Sequence, residues 1–86
     1  MKIPLDTHPQ TIIVDDSEYT VRVVSMDFHN RSLDFEVYLQ HGGINEQIAD
    51  GDYFNGRVES TADLGEDLWT AVECALIDIA HEIEDW

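Results

Sequence analysis

The chain has 86 residues and carries 19 Asp and Glu against 4 Lys and Arg, a formal net charge of -15. That length holds one core and excludes a second domain, while 43% hydrophobic residues exclude an intrinsically disordered polyanion. The charge is about twice the upper end of the ~2–8 units that keep a small domain soluble; it excludes nucleic acid and anionic membrane as direct partners and points to basic proteins or cations.

In chain order, the opening MKIPLDTHPQ lacks the apolar run of a signal peptide, and no stretch approaches the ~18–20 apolar residues of a membrane span. A cytoplasmic location is the expectation. Thr11 to Val14, closed by Asp15-Asp16-Ser17, reads as a first strand turning into a second. In the run Tyr19 to Phe28, Tyr19, Val21 and Val23 share one face, and Val24, Met26 and Phe28 share the other. A bulge near Val23 and Val24 reconciles the two phases. The polar segment His29 to Ser32 connects this strand to the next as a hairpin, with Asn30 as the residue suited to positive φ.

Leu33, Phe35, Val37 and Leu39 then alternate with Asp34, Glu36, Tyr38 and Gln40, the period-2 pattern of a half-buried strand. Gly42-Gly43 ends it and leads into a less regular pattern from Ile44 to Ala49. Asp50-Gly51 reads as a turn, and Tyr53 to Ser60 as a last strand in which Asn55-Gly56 is either a hairpin tip or a bulge. The remainder, from Asp63 to Asp85, is expected to be a helix. Asp63 and Glu66 stand three apart as in a capping box, and Leu68, Val72, Ala75, Leu76, Ile79, Ile83 and Trp86 recur as one apolar stripe. The predicted fold is α+β: a single domain over residues 1–86, with a four- or five-stranded, mainly antiparallel sheet and one C-terminal helix packed on one face.

Constellations that carry chemistry are absent from the sequence. His8, His29, His41 and His81 fall in four different segments without the spacing of metal ligands, so no metal or other cofactor is expected. Cys74 reads as a small half-buried thiol at the polar margin of the helix, with no base near it in sequence. No serine stands in a nucleophile motif, and no glycine-rich loop precedes the helix. The expectation is a protein without catalytic residues. Asp50-Gly51-Asp52 resembles the start of a calcium loop but lacks the later ligands, which leaves a turn.

What remains is the placement of acids and aromatics. Arg57 is the last basic residue, and nine acids follow it. Alternate residues on a strand are ~6.8 Å apart, and helix residues one turn apart are ~6 Å apart. Both pitches approach the spacing of phosphates along one nucleic-acid strand. Asp34 with Glu36 meets the first pitch; Asp63 with Asp67, and Asp78 with Glu82 followed by Asp85, meet the second. Tyr38 and Trp69, on or near polar faces, complete the candidate partner-binding set, since aromatics are enriched at interface centres. The helix forgoes stability for this charge, because like charges one turn apart cost ~0.2–0.5 kcal/mol and C-terminal acids oppose the macrodipole.

In charge, size and mixed α/β build, the whole chain resembles the small acidic inhibitors of phage type that imitate nucleic acid, namely anti-CRISPR and anti-restriction proteins. The resemblance is one of class, carried by no motif. It implies a non-enzymatic DNA mimic that binds a basic nucleic-acid-binding protein, a nuclease or CRISPR effector, as a monomer or homodimer in the host cytoplasm. Two other classes fit the same composition: an immunity protein or antitoxin against a nuclease toxin, and an acidic structural domain from a salt-adapted organism.

Overall fold

The structure, a computed structural model, describes residues 2–4, 9–27, 29–54, 57–60 and 62–82. Among these residues, six strands and one helix follow in chain order: β1 Lys2–Pro4, β2 Gln10–Val14, β3 Ser17–Asp27, β4 Ser32–His41, β5 Ile44–Phe54, β6 Arg57–Glu59 and α1 Glu66–Glu82. All pairings are antiparallel. β1 and β2 lie in tandem along the same edge of β3, the first opposite Ser25–Asp27 and the second opposite Ser17–Val21, so the sheet is five strands wide. It is the expected α+β arrangement, with the helix on one face.

Two tight turns fix the register of the central hairpins. Val14 pairs with Ser17 across Asp15 (φ 51°) and Asp16 (φ 63°), and His41 pairs with Ile44 across Gly42 (φ 58°) and Gly43 (φ 78°). Both central residues of each turn are left-handed, as two-residue hairpins require for their twist to match the strands. At the β3–β4 connection the left-handed residue is Arg31 (φ 54°) and not Asn30. The Asp27 carboxylate accepts hydrogen bonds from the backbone N–H of His29 (3.0 Å) and Asn30 (3.3 Å) and from the Asn30 side chain (2.9 Å). These bonds hold Asn30 in the body of the turn and pass the reversal to the next residue.

The bulge in β3 is present where the phases demanded it: the β3–β4 register shifts between Val23 and Ser25, which brings Met26 to the same side as Val21 and Val23. Those three, with Leu33, Phe35 and Val37 of β4 and Ala49 and Tyr53 of β5, form the sheet side of the core. Leu68, Val72, Ala75, Leu76, Ile79 and Ala80 of α1 close it from above. The stripe residues Ile83 and Trp86, like Phe28 at the end of the Tyr19–Phe28 run, lie outside the described residues.

Two local readings are corrected. Asp50-Gly51 is no turn, because β5 runs unbroken from Ile44 to Phe54. Gly51 is there for want of space: a Cβ would collide with the Glu59 carbonyl oxygen and stand 2.9 Å from Ser60 Cβ and 3.2 Å from the Phe35 ring. The helix starts at Glu66, not Asp63, and Gly65 (φ 85°) is its N-cap, with its carbonyl accepting the Trp69 N–H at 3.1 Å. Asp63 therefore does not cap the helix, while Glu66 and Asp67 in the first turn complement its dipole. Phe54 pairs with Arg57, so β5 and β6 form a hairpin across Asn55-Gly56, a dipeptide outside the described residues.

Candidate acidic binding surface

Alternation along β4 turns Leu33, Phe35 and Val37 into the core and leaves Asp34, Glu36 and Tyr38 on the outer face, away from α1. The register then decides what stands beside them. Glu36 faces Asp50, Asp34 faces Asp52, and Asp52 in turn faces Glu59. Five carboxylates from three adjacent strands thus share one side of the sheet. Rows across the strands repeat at ~4.8 Å and rows along them at ~6.8 Å. Together with Val24, Gly51 and Ser60 they line an open groove of about 430 Å³.

Hydrogen bonds hold part of this surface in place. Ser25 Oγ donates to Asp34 Oδ2 at 2.5 Å, and Tyr38 Oη donates to Glu36 Oε1 at 2.5 Å. The bond to the Glu36 carboxylate, with burial and the charge of Glu36 behind it, holds the Tyr38 phenol above its ordinary value of 10.0, and Arg22 pulls weakly the other way. Tyr38 is thereby kept as a neutral donor. Arg22 stands opposite Glu36 in the register. With Tyr38, Thr11, Thr20, Gln40 and Asn45 it lines a second groove of about 390 Å³ that adjoins the acidic one. The Gln40 side chain donates to Thr20 Oγ1 across the strands.

The structure divides the residues expected to bind a partner. Asp34, Glu36 and Tyr38 come together on the outer sheet face. Asp67, Asp78 and Glu82 are exposed on α1, which packs on the opposite face of the sheet. Asp63 is exposed but precedes the helix, so it forms no one-turn row with Asp67. Asp85 lies outside the described residues. Trp69 is half-buried and packs against the core, its ring edge-on to Phe35 with centroids 6.2 Å apart and planes at 86°. Sequence reasoning missed Asp50, Asp52 and Glu59, since the first two were assigned to a turn; the signal was there in the i, i+2 acid pair that Asp50 and Asp52 share with Asp34 and Glu36.

Cys74 is exposed, not half-buried, because its position on the helix turns it away from the stripe. Among the described residues, no three His, Cys, Asp or Glu side chains are grouped so as to hold a metal ion. No described helix is long and apolar enough to cross a membrane. What this fold defines is a small α+β domain with a grid of carboxylates on the open face of its sheet. No family model, no curated protein and no solved structure matches the chain.

Proposed function

We propose that the protein is a non-enzymatic inhibitor that occupies the nucleic-acid-binding surface of a basic protein, a nuclease or CRISPR effector, with the outer sheet face standing in for the phosphate backbone. The observation that carries this reading is the direct opposition of like charges in neighbouring strands: Glu36 with Asp50, Asp34 with Asp52, and Asp52 with Glu59. Each such pair opposes folding by ~0.2–1 kcal/mol. A surface that served solubility alone would gain more from acids spaced apart or interleaved with lysine. A phage-encoded inhibitor of the anti-CRISPR or anti-restriction kind fits the size and charge of the chain.

Of the two acidic surfaces, the sheet face is the better template. Ser25 and Tyr38 fix two of its carboxylates, so less side-chain freedom is lost on binding. Among the described residues, Asp78 and Glu82, exposed on the helix, are held by no such bonds in their row. The test is a binding screen against purified CRISPR effectors and restriction nucleases, with their DNA or RNA as competitor. Asp34→Lys with Glu36→Lys should weaken binding by at least ~2 kcal/mol, taking like charges facing each other across an interface to cost several kcal/mol. Asp78→Lys with Glu82→Lys, on the other face, should change it severalfold at most. If the sheet reversal leaves binding intact while Tyr38→Ala abolishes it, recognition is by shape and an aromatic anchor, and the mimicry reading falls.

A further inference from the structure

β5 is eleven residues long, yet β6 pairs only with Asp52, Tyr53 and Phe54. Ser60 closes the next step, donating from Oγ to the Asp50 carbonyl at 2.6 Å. Beyond it, among the described residues, no strand pairs with the outer edge of Ile44–Ala49. An exposed edge of this kind is a template for another strand, and proteins usually blunt it with lysine. Here the edge has no Lys or Arg at all. Glu46 and Asp50 are exposed along it, Glu46 on the face of Leu39 and beside His41 (3.6 Å), Asp50 on the outer face, and Glu36 and Asp34 lie on the adjoining strand.

That charge selects among possible occupants. A second copy of the chain would bring Glu46 and Asp50 against their own kind, on top of a net charge of -15 in each copy. A segment with Lys or Arg at alternate positions would instead set its cations beside Asp50 and the outer-face grid while its backbone completes the ladder. The bulge that sets Ile48 out of register breaks the edge into short stretches, which favours a brief docking segment over extended self-association. We infer that the edge of β5 from Ile44 to Ala49 receives a basic, extended segment of the partner protein by strand addition, continuing the row that β6 begins. This deepens the proposed function and rests on it: the partner's basic surface is met in part through its backbone.

The probe is an eight-residue capped peptide of alternating Lys and Thr, together with two analogues N-methylated at either set of alternate residues. All three carry the same charge, but each methylated form loses the donors of one edge. At low ionic strength the parent peptide should bind and slow amide hydrogen exchange at residues 44–49 at least tenfold. One methylated analogue should bind at least tenfold more weakly than the parent. Asp50→Lys, exposed on the outer face, should weaken binding at least tenfold without altering the circular dichroism spectrum. Equal binding of all three peptides with unchanged exchange at 44–49 would overturn strand addition and leave the charge reading standing. No binding by any of them overturns the inference as well, and the Asp34 and Glu36 reversal against an effector then judges the parent reading separately.

Discussion

Asp50→Asn removes one charge from the middle of the outer-face grid and leaves its shape nearly unchanged. Asp50 stands directly opposite Glu36, diagonal to Asp34, and two residues from Asp52. Two unit charges ~6 Å apart in water, the reach of opposed carboxylates, repel by about 0.7 kcal/mol. Neighbours at ~7 Å add about 0.6 kcal/mol each before screening. Arg22, on the far side of Glu36, offsets part of the total, and salt at ~0.15 M roughly halves the rest. The expected gain in stability is about 0.5–1 kcal/mol, or ~2–8 °C in melting temperature for a domain of this size. Thermal unfolding followed by circular dichroism at low, physiological and molar salt measures it. The gain should be largest at low salt and vanish near 1 M, where the screening length is ~3 Å. Most substitutions destabilise, so a rise is diagnostic, and the same variant should bind its partner more weakly. A variant that melts below the parent at low salt, or a gain that persists at 1 M, would refute the claim that these carboxylates repel one another in the folded state.

Two further outcomes are expected. Gly51→Ala forces a Cβ against the Glu59 carbonyl and the Phe35 ring; overpacking costs ~1–3 kcal/mol, the stiffer unfolded chain returns ~0.4–1, and urea unfolding should show a net loss, whereas an alanine variant at least as stable as the parent would show that β6 moves aside freely. Stability should rise from pH 7 to ~5 as repulsion among the carboxylates is relieved, then fall below pH ~4. Burial raises the Asp27 carboxyl, but the bonds from Asn30 and His29 outweigh it and leave the group below its ordinary value of 3.8, so its contribution is present above that value and lost as pH drops through the lowered one. Asp27→Ala should flatten the acid limb of the melting profile; an unchanged limb would mean that the turn does not depend on the ionised carboxylate.

Elements held by local pattern were legible in the sequence. The alternation of Leu33 to Gln40 and the phase change at Val23 and Val24 fixed the faces of β3 and β4, because a period of two admits only one core side. The helical stripe from Leu68 to Ile79 was equally plain. Readings failed where a tertiary contact overrode a local signal. Asp50-Gly51 carries the composition of a turn, yet Gly51 answers to the backbone of Glu59 and the ring of Phe35, both distant in sequence. Asp63 has the chemistry of a cap, yet Gly65, which alone tolerates φ of 85°, takes that position. Trp69 sits near a polar margin by helical projection and is drawn inward by Phe35. As for the site, one acidic row was visible and its partners were not, since facing pairs are a property of register.

That register depends on a single residue. From the Gly42-Gly43 turn the ladder runs evenly, with Gln40 opposite Asn45 and Tyr38 opposite Gln47; Val37 then faces Ala49, so Ile48 is the extra residue of a bulge. If Ile48 instead paired with Val37 as an ordinary ladder residue, the pairing would continue one step out of phase: Asp50 would oppose Phe35, Asp52 would oppose Leu33, and both carboxylates would turn into the core. The bulge therefore creates the facing acid pairs. Deleting residues tests this directly: without Ile48 the strand runs from Gln47 straight to Ala49 and keeps Glu36 opposite Asp50 and Asp34 opposite Asp52 in a regular ladder, whereas deleting Gln47 and Ile48 together sets Asp50 opposite Val37 and Asp52 opposite Phe35, so that the strand must bury two carboxylates or abandon its pairing with β4. Each buried, uncompensated carboxylate costs several kcal/mol, and two of them approach the whole ~5–15 kcal/mol stability of a domain. The double deletion should therefore be unfolded by circular dichroism at 25 °C, while the deletion of Ile48 alone, which keeps the facing pairs, and Ile48→Ala, which keeps the bulge and trims a half-buried side chain, should fold and retain partner binding. A double-deletion variant that folds with a near-parental melting temperature would mean that the strand can recover its register elsewhere, and the facing of Asp34 with Asp52 and of Glu36 with Asp50 would then owe nothing to the number of residues between Gly43 and Ala49.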